Sequence, residues 1–563
     1  MEEGRIVRVA GSVVAASGLP RAGINHRVEV GHSRLTGEVI AISKDTVTIQ
    51  VYEGTEGLRI GEPVYCSGSP FNVCLGPGLL GMIFDGIQRP LKTLSEIEGN
   101  FIGRGARIGF EKDSRKWELE FLVTPGQKVA PGEVIATTPE TPAIVHKITC
   151  PPGLSGVVKE LYRGPFGLRD AVCRLVSGEE IHLSSRWPCR VPRPYERKLS
   201  PSEPHVTGQR IFDCFFPLAK GGVAVVPGGF GTGKTVLQHA LSKNLDVDVV
   251  VYVGCGERGN EMSEIISDFT RLEDPATGRP LLERTIMVAN TSNMPVAARE
   301  ASLYTGITMA EYYRDMGYRV VLLADSISRW AEALREMSSR LEEMPGEEGY
   351  PSYLSSRLSQ FYERAGRVAC LGGGSTGSLT VVSAVSPPGG DLSEPVTQVS
   401  LRMAGCFWAL DPDLASQRHY PAVNWLESFS LYRESLYPVW EKADGGDWRQ
   451  NVQELGKILE RENSVRDIAQ LVGYNSLQDG EKLLMNVGKA IREGFLRQDY
   501  NHPVDTRCSP AKTGRMMERF LGAYREALSH LSSGEKDFED PVELLPMEEL
   551  RRLRFEPESG GKK

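Results

Sequence analysis

The chain has 563 residues, several times the roughly 100–200 residues of one ordinary domain, so about three to five folded units are expected. Hydrophobic residues make up 40% and charged residues 25%, which is close to the globular average and excludes a disordered or collagen-like chain. The net charge of −8, from 65 basic and 73 acidic residues, gives no support for a protein whose main ligand is nucleic acid.

The chain starts with an acidic segment at residues 1–5 and contains no apolar run of roughly 18 residues, so the sequence signals neither a secretory leader nor a membrane helix. We expect the protein in the cytoplasm. Residues 1–70 contain short alternating runs such as 47–51, separated by glycines, and this pattern predicts a small N-terminal β-barrel. Residues 71–110 are rich in Gly and Pro and predict a segment that leaves the barrel.

Residues 111–190 predict a second β-rich module, with one strand at 117–123 and glycines between the others. Residues 145–153 resemble part of a lipoyl- or biotin-carrier domain, in which Lys147 would be a modified swinging arm. The flanking residues differ from that signature. A structural insert is therefore the preferred interpretation of this module.

Between about 191 and 430, apolar strands alternate with helical segments such as 295–316. The predicted strands are 223–226, 247–253, 285–289, 320–324 and 379–385. This alternation predicts a mainly parallel sheet with helices on both faces. After about residue 431 the pattern becomes helical.

A glycine-rich motif follows the first of these strands and opens a helix. It consists of Gly228, Gly229, Phe230, Gly231, Thr232, Gly233, Lys234 and Thr235. The strand before it and the helix after it are the context that a phosphate loop requires. Backbone N–H groups of such a loop surround phosphates at a helix N-terminus. We therefore predict that the chain binds Mg-ATP, with Lys234 on the β- and γ-phosphates and the Thr235 hydroxyl on Mg²⁺. Val236, the next residue, completes the predicted nucleotide-binding loop.

Two other strands end in acidic residues, at the edge where parallel sheets bind ligands. The strand at 320–324 leads into Asp325, which we predict to hold Mg²⁺, although a helix cap is the common role of an Asp at such a place. The strand at 247–253 leads into Glu257, the candidate for positioning and polarising the water that attacks the γ-phosphate. Its neighbour Arg258 is interpreted either as a contact of the site or as a surface ion pair.

Together, these residues resemble a specific family, the catalytic A subunit of V-type and archaeal-type rotary ATPases. The resemblance covers essentially the whole chain, and six stretches carry it: 228–235, 254–262, 290–300, 328–336, 342–350 and 386–391. It implies four domains. They are an N-terminal β-barrel at 1–70, an inserted β-rich bulge at 111–190, a RecA-like P-loop domain formed by 71–110 and 191–434, and a C-terminal helical domain at 435–563.

The resemblance implies that the chain hydrolyses or synthesises ATP, coupled to proton or sodium transport. It implies Lys234 and Thr235 on the phosphates and Mg²⁺, with Asp325 on the metal. By the same resemblance Glu257 activates water and Arg258 lies near the γ-phosphate. Tyr420 matches the position at which related subunits stack an aromatic ring on adenine.

The implied partners are the other subunits of a rotary complex. Three A subunits would alternate with three non-catalytic B subunits around a central rotor stalk, with peripheral stalks outside. Because no arginine stands in residues 383–391, we expect the transition-state arginine to come in trans from B. The chain would lie at the cytoplasmic face of a membrane that it contacts only through the complex, and it would bind no nucleic acid.

Three positions depart from the family pattern. Gly229 stands where Pro is common, Thr232 where eukaryotic relatives have Cys, and Tyr420 where Phe is usual. Two alternative functions remain open on the residues alone. One is a hexameric RecA-like nucleic-acid translocase, which would need a basic or aromatic path for the strand. The other is a non-catalytic nucleotide-binding subunit, with which the set of Lys234, Thr235 and Glu257 conflicts.

Overall fold

The computed structural model describes residues 2–99, 102–106, 108–275, 277–444, 446–533 and 538–558. They form two compact units. The first comprises Met1–Ser200, Val247–Pro387 and Asp391–Met403, and the second comprises Pro201–Asp246, Pro388–Gly390 and Ala404–Lys563. Within the described ranges, no helix combines the length and the apolar character needed to cross a membrane.

The N-terminal part of the first unit is a six-stranded barrel. Its strands are β1 (Glu2–Ala10), β2 (Val13–Ser17), β3 (His26–Val30), β4 (Leu35–Ser43), β5 (Thr46–Val51) and β6 (Pro63–Pro70). They close in the order β1-β2-β5-β4-β3-β6. Alternate side chains point inward and form an apolar core that includes Val14, Val28 and Ile49, because successive residues of a strand face opposite sides. The predicted barrel is confirmed.

The segment after the barrel is also rich in strands. Its elements are β7 (Asn72–Leu75), β8 (Ile83–Phe84), α1 (Leu91–Glu98), β9 (Glu120–Phe121), β10 (Lys128–Val129), β11 (Val134–Pro139), β12 (Val145–Thr149), β13 (Gly156–Leu161), β14 (Ala171–Leu175), β15 (Glu180–His182) and β16 (Ser185–Pro188). The strands β10-β13-β14-β15 form one small sheet and β12-β11-β9 another, which confirms the β-rich module. The strand predicted at 117–123 is wrong in length. Only β9 is regular, and Trp117 makes an isolated bridge with Phe166.

Lys147, on β12, is held within the first unit. Its ammonium donates a hydrogen bond to the carbonyl of Met316 at 2.6 Å and lies 5.2 Å from the ring centre of Tyr318. A lysine with these contacts packs against a neighbouring helix end. The geometry therefore favours the structural insert over a carrier domain with a swinging arm.

The central part of the chain alternates strands and helices. Its elements are β17 (Arg197–Leu199), α2 (Arg210–Phe215), β18 (Val223–Pro227), α3 (Lys234–Asn244), β19 (Val249–Glu257), α4 (Gly259–Arg271), β20 (Thr285–Thr291), α5 (Val296–Asp315), β21 (Arg319–Asp325), α6 (Ile327–Arg340), α7 (Leu354–Tyr362), β22 (Gly366–Ala369), β23 (Thr376–Val385), α8 (Pro395–Met403), β24 (Cys406–Phe407), α9 (Pro412–Ser416) and β25 (Phe429–Ser430).

In the first unit, β23, β21, β19, β20 and β8 pair in that order as parallel strands, and β22 joins β23 antiparallel. The first eight residues of β19 are all buried, as expected for a strand covered on both faces. Helix α5, which packs against these strands, is buried on every side from Ala297 to Arg314. The predicted parallel sheet is confirmed.

In the second unit, β18 pairs parallel with β24, and β24 pairs antiparallel with β25. The C-terminal part is helical, as predicted. Its helices are α10 (Arg433–Asp444), α11 (Trp448–Val472), α12 (Asp479–Ile491), α13 (Pro510–Ser533) and α14 (Met547–Arg552). The rings of Trp440 and Trp448 stack with centroids 5.4 Å apart where α10 meets α11. Buried apolar faces thus hold the helices together.

Candidate active site

The glycine-rich loop lies between β18 and α3 in the second unit. Gly231 and Gly233 have φ values of +78° and +90°, in the left-handed region that favours glycine. The Lys234 ammonium donates to the carbonyls of Gly228 and Gly229 at 2.6 and 2.8 Å, and the Thr232 hydroxyl donates to the latter at 2.9 Å. The loop is therefore closed around its own lysine, at the N-terminus of an 11-residue helix.

The first turn of α3 presents backbone N–H groups that have no partner one turn earlier in the helix, because the helix starts there. Thr235 and Val236 lie in this turn, and both side chains are exposed. Phe230, on the loop itself, is 85% exposed. Backbone donors, a helix dipole and a lysine are together chemically suited to phosphate groups.

A small pocket adjoins the start of α3. The Tyr420 ring forms the side of this pocket next to the loop. It lies so close to Gly233 that a Cβ atom added to this glycine would be 3.1 Å from Tyr420 Cε1. The pocket is lined by Gln209, Gly233, Val236, Leu237, Ala240, Leu410, Tyr420, Pro421, Ala422, Gln498 and Tyr500. The side-chain amide of Gln498 donates a hydrogen bond to the carbonyl of Gly208 at 2.8 Å and accepts one from the backbone N–H of Arg210 at 3.0 Å. These two bonds fix the orientation of the amide. The lining is mostly apolar and carries aromatic rings, the kind of surface that contacts a flat heterocycle. The free volume of about 20 Å³ is smaller than such a ring, so side chains of the lining must move apart to admit one.

The acidic candidates lie in the first unit, on neighbouring parallel strands. Asp325 ends β21 opposite Gly254 of β19. It is 4% exposed, and its Oδ2 accepts a hydrogen bond from the Tyr252 hydroxyl at 3.3 Å. Three residues after Gly254, β19 ends at Glu257. The sheet thus brings both carboxylates to one edge, as the sequence predicted.

The pKa of Glu257 is raised to about 8. Burial is the largest cause, the nearby carboxylates of Asp325 and Glu261 add to the rise, and the Arg329 guanidinium opposes it. Glu257 is consequently mostly protonated at neutral pH when no cation is bound. A carboxyl group with a pKa in this range is suited to accept and return a proton near physiological pH.

A β-bulge at Gly256 changes the direction of the strand immediately before Glu257. The pairing of β19 with β20 passes from Cys255 and Asn290 to Glu257 and Thr291, so Gly256 is one extra residue. Its φ is +76°, and a side-chain carbon there would lie 2.8 Å from Cβ of Arg329. Only glycine fits this position. The bulge therefore redirects the strand just before the candidate base.

Arg258 follows Glu257 and precedes α4. Its side chain is 63% exposed, and its guanidinium lies 3.7 Å from the Glu261 carboxylate. An exposed pair of this kind contributes little to stability.

Mg²⁺ prefers oxygen ligands, and it commonly keeps several waters and phosphate oxygens in addition to one or two protein groups. The Thr235 hydroxyl and the Asp325 carboxylate are ligands of this chemistry. No cluster of three or more His, Cys, Asp or Glu side chains that would hold a metal occurs among the described residues. A Mg²⁺-nucleotide site does not need such a cluster, so the residues fit the metal.

Sequence reasoning did not single out Tyr252, Glu261 or Arg329 as parts of the site. Arg329 and Glu261 stand within the stretches 328–336 and 254–262 that carry the family resemblance, and this was the available signal. Tyr252 lies within an apolar strand, where nothing in the sequence distinguished it.

Four family models match the chain. They are described as the β-barrel domain of the ATP synthase alpha/beta family (residues 6–68), the ATP synthase alpha/beta subunit barrel-sandwich domain (111–190), the nucleotide-binding domain of the same family (208–430) and the C-terminal domain of V and A type ATP synthase (438–538). The four matches lie in chain order and follow the barrel, the β-rich module, the strand–helix region and the helices.

Several relatives match over nearly the whole chain. The A subunit of the A-type ATP synthase from Methanopyrus kandleri is 53% identical over 566 residues, covering 100% of this chain and 95% of the relative. The V-type ATP synthase alpha chain of Anaeromyxobacter dehalogenans is 55% identical, with 94% and 92% covered. The corresponding A-type protein of Haloferax volcanii is 52% identical, with 99% and 93% covered.

Among solved structures, the assembled ATPase EscN of the type III secretion system of enteropathogenic E. coli superimposes with a TM-score of 0.65. The match covers 92% of this chain and 100% of EscN, at 22% identity. At that identity the similarity shows a shared fold.

Proposed function

The chain belongs to the family of A subunits, or alpha chains, of A-type and V-type ATP synthases, and we propose here how its residues act in ATP hydrolysis and synthesis. The members of this family are subunits of multi-subunit, ion-translocating ATPases. The observation that carries the assignment of the site is the phosphate loop with Lys234 folded over its carbonyls at the start of α3.

In this proposal Lys234 exchanges its hydrogen bonds to Gly228 and Gly229 for contacts with the β- and γ-phosphates. The backbone N–H groups of the loop, from Phe230 to Gly233, turn toward the phosphates, and the α3 dipole favours their negative charge. Left-handed glycines let the backbone approach the phosphates closely, which supports this role.

Thr235 and Asp325 would hold Mg²⁺, which supplies charge neutralisation at the β- and γ-phosphate oxygens when bound. Asp325 is buried and fixed by the Tyr252 hydroxyl, so its carboxylate keeps one orientation. A cation near this edge of the sheet would also lower the pKa of Glu257, because it favours the ionised form.

Glu257, once ionised, would accept a hydrogen bond from the attacking water and hold it in line with the γ-phosphate. In the direction of synthesis the same group would stabilise the water that leaves. Arg258, which follows Glu257 directly in the chain, would reach the γ-phosphate and stabilise the charge that develops there.

The adenine ring would stack on Tyr420 in the pocket beside α3, with Val236 at its edge and Phe230 on the exposed side of the loop. A tyrosine in place of the more usual phenylalanine keeps the same aromatic face. The pocket therefore supports binding of a purine nucleotide.

In this proposal the chain alternates with B subunits in a ring of three A and three B, and it takes the transition-state arginine from B. The central rotor stalk and the peripheral stalks would connect this ring to a proton or sodium channel. The chain itself would lie at the cytoplasmic face of the membrane, in contact with its protein partners only. Without B, hydrolysis would be slow because one cation is missing from the transition state.

The test compares two substitutions in the reconstituted A–B ring. Glu257→Gln is expected to leave the Kd for ATP within about twofold and to reduce phosphate release by about 10²–10⁴-fold, the range for loss of a general base. Lys234→Ala is expected to weaken binding as well, since it removes the cation on the phosphates. Glu283→Gln, which removes a charge paired with Arg279 on the surface, is the matched control. Wild-type turnover in Glu257→Gln would refute the role of Glu257.

A further inference from the structure

Arg299 lies in the first turn of α5 and is only 9% exposed. Its Nη2 donates a hydrogen bond to the carbonyl of Ser292 at 3.0 Å. Ser292 follows β20, in the turn that leads into α5. The guanidinium therefore closes this turn by bonding across it.

The same turn holds the backbone of the candidate base. The N–H of Ser292 donates to the carbonyl of Glu257 at 2.8 Å. One peptide group on each side of Ser292 thus takes part in a chain of hydrogen bonds that runs from the Arg299 guanidinium to the Glu257 main chain. Loss of the guanidinium would free the carbonyl of Ser292 and loosen the N–H that holds Glu257.

Arg299 also packs under the bulge. A Cβ atom added to Gly256 would lie 3.1 Å from Cδ and 3.2 Å from Nε of Arg299. The arginine side chain therefore packs directly against the bulge. The thiol of Cys255 donates to the Arg299 carbonyl at 3.5 Å, a sulfur contact. Both residues before Glu257 are consequently in contact with Arg299.

The main electrostatic influences on Glu257 come from other groups. Asp325, Glu261 and Arg329 are the charges that shift its pKa most. The Arg299 side chain packs against Gly256, and its Nη2 donates a hydrogen bond to the carbonyl of Ser292 in the turn. Its effect on Glu257 is therefore one of geometry.

We propose that Arg299 is a positioning residue for Glu257: its hydrogen bond to the 291–293 turn and its contact with Gly256 fix the bulge, so that the carboxylate stays where the attacking water is held. This inference rests on the proposed role of Glu257 in ATP hydrolysis.

The first experiment measures kcat and nucleotide affinity of Arg299→Ala in the reconstituted ring. A displacement of about 1 Å at a reacting group costs on the order of 10²-fold, so we expect kcat to fall by about 10- to 100-fold. The Kd for ATP is expected to stay within about twofold, because the phosphate loop is unchanged. Arg335→Ala is the control, since Arg335 lines the same cleft and stacks over Tyr350 without contact to the bulge.

The second experiment is chemical rescue. Arg299 lines a cleft open to solvent, together with Glu332, Arg335, Glu336, Ser339 and Arg340. Removal of its side chain would leave space that connects with this cleft. Guanidinium or ethylguanidinium ions should therefore restore kcat of Arg299→Ala by about fivefold or more, whereas ammonium at equal ionic strength should not, because it lacks the planar set of donors. Arg299→Lys is expected to keep part of the activity through one hydrogen bond to Ser292.

A double-mutant cycle separates this inference from the function on which it rests. If Arg299 acts through Glu257, single-turnover hydrolysis in Glu257→Gln should fall by less than about twofold when Arg299→Ala is added. A full additional loss in that background, or unchanged kcat in Arg299→Ala, would overturn the positioning role. Wild-type turnover in Glu257→Gln alone would instead refute the proposed function.

Arg299→Ala is checked for folding by circular dichroism and by assembly with B. If it does not fold, Arg299→Lys decides the question. A partial loss of kcat at unchanged Kd for ATP is expected, because lysine keeps the positive charge but lacks the planar set of donors. Wild-type kcat in Arg299→Lys would overturn the inference.

Discussion

Replacing Arg190 with methionine should destabilise the first unit strongly. Arg190 is bidentate to two buried carboxylates. Its Nε and Nη2 donate to Glu38 at 2.9 and 2.8 Å, and its Nη1 and Nη2 donate to Glu300 at 2.8 and 2.7 Å. Glu38 and Glu300 are 1% and 2% exposed, so no water replaces the lost partner. The arginine thus joins β4 of the barrel to α5.

The magnitude follows from this burial. Removing one partner of a buried ion pair typically costs about 3–5 kcal/mol, because the remaining charge stays desolvated. Here two carboxylates would remain, and the Tyr52 hydroxyl, 2.5 Å from Glu38, would compensate for one of them only in part. We expect the free energy of unfolding of Arg190→Met to fall by at least this amount. Arg174→Met, which breaks an exposed pair with Glu180, should leave the unfolding midpoint almost unchanged.

The assay is urea unfolding followed by circular dichroism at about pH 8. Adding Glu38→Gln to Arg190→Met should recover part of the loss, because it removes one of the two buried charges that the variant leaves without the arginine.

An equal midpoint for Arg190→Met and Arg174→Met at about pH 8 would refute this account, as would a loss that Glu38→Gln does not reduce. The first result would mean that the buried pair contributes no more than a surface pair. The second would mean that the buried carboxylates are not the source of the loss. A shift in midpoint of about 1 M or more is expected, given slopes of about 3 kcal/mol per M urea.

Two further predictions concern the site. Because the pKa of Glu257 is raised to about 8, chiefly by burial, kcat/KM should rise with pH below that value and level off above it. Glu261→Gln should move this rise to lower pH, since it removes a carboxylate that favours the protonated form of Glu257. An unmoved pH profile in Glu261→Gln would contradict the assignment of the base. Tyr420→Ala should raise the Kd for ATP by about 5- to 150-fold, corresponding to about 1–3 kcal/mol of stacking, whereas Tyr420→Phe should stay within about twofold. Titration with a fluorescent nucleotide measures both variants, and equal affinity of the two would exclude stacking.

Much of the fold could be predicted from the sequence, because apolar runs and glycines carry the information locally. The strands that became β18, β19, β20, β21 and β23 were found from their apolar runs, to within a few residues. The phosphate loop was found because a short motif must lie between a strand and a helix to function. The strand at 117–123 was overextended, since regular pairing there involves only Glu120 and Phe121.

The supporting residues of the site could not be predicted in this way. The bulge at Gly256 depends on the register between β19 and β20, which no pattern within either strand specifies. Arg190 and Glu300 are 110 residues apart in the chain. Their pairing depends on tertiary packing alone. Sequence reasoning thus found the groups of the proposed chemistry and missed the groups that hold them.

The buried ion pair of Arg190 also bears on the candidate base, because Arg299 and Glu300 are consecutive residues in the first turn of α5. Arg299 holds the turn that bonds Glu257, and Glu300 is held by Arg190. In Arg190→Met the start of α5 should loosen, and the amides of Ser292 and Glu257 should exchange hydrogen faster than in Arg174→Met. Unchanged exchange at both amides would mean that the turn is rigid without the ion pair, and that Arg299 alone fixes the geometry of the base.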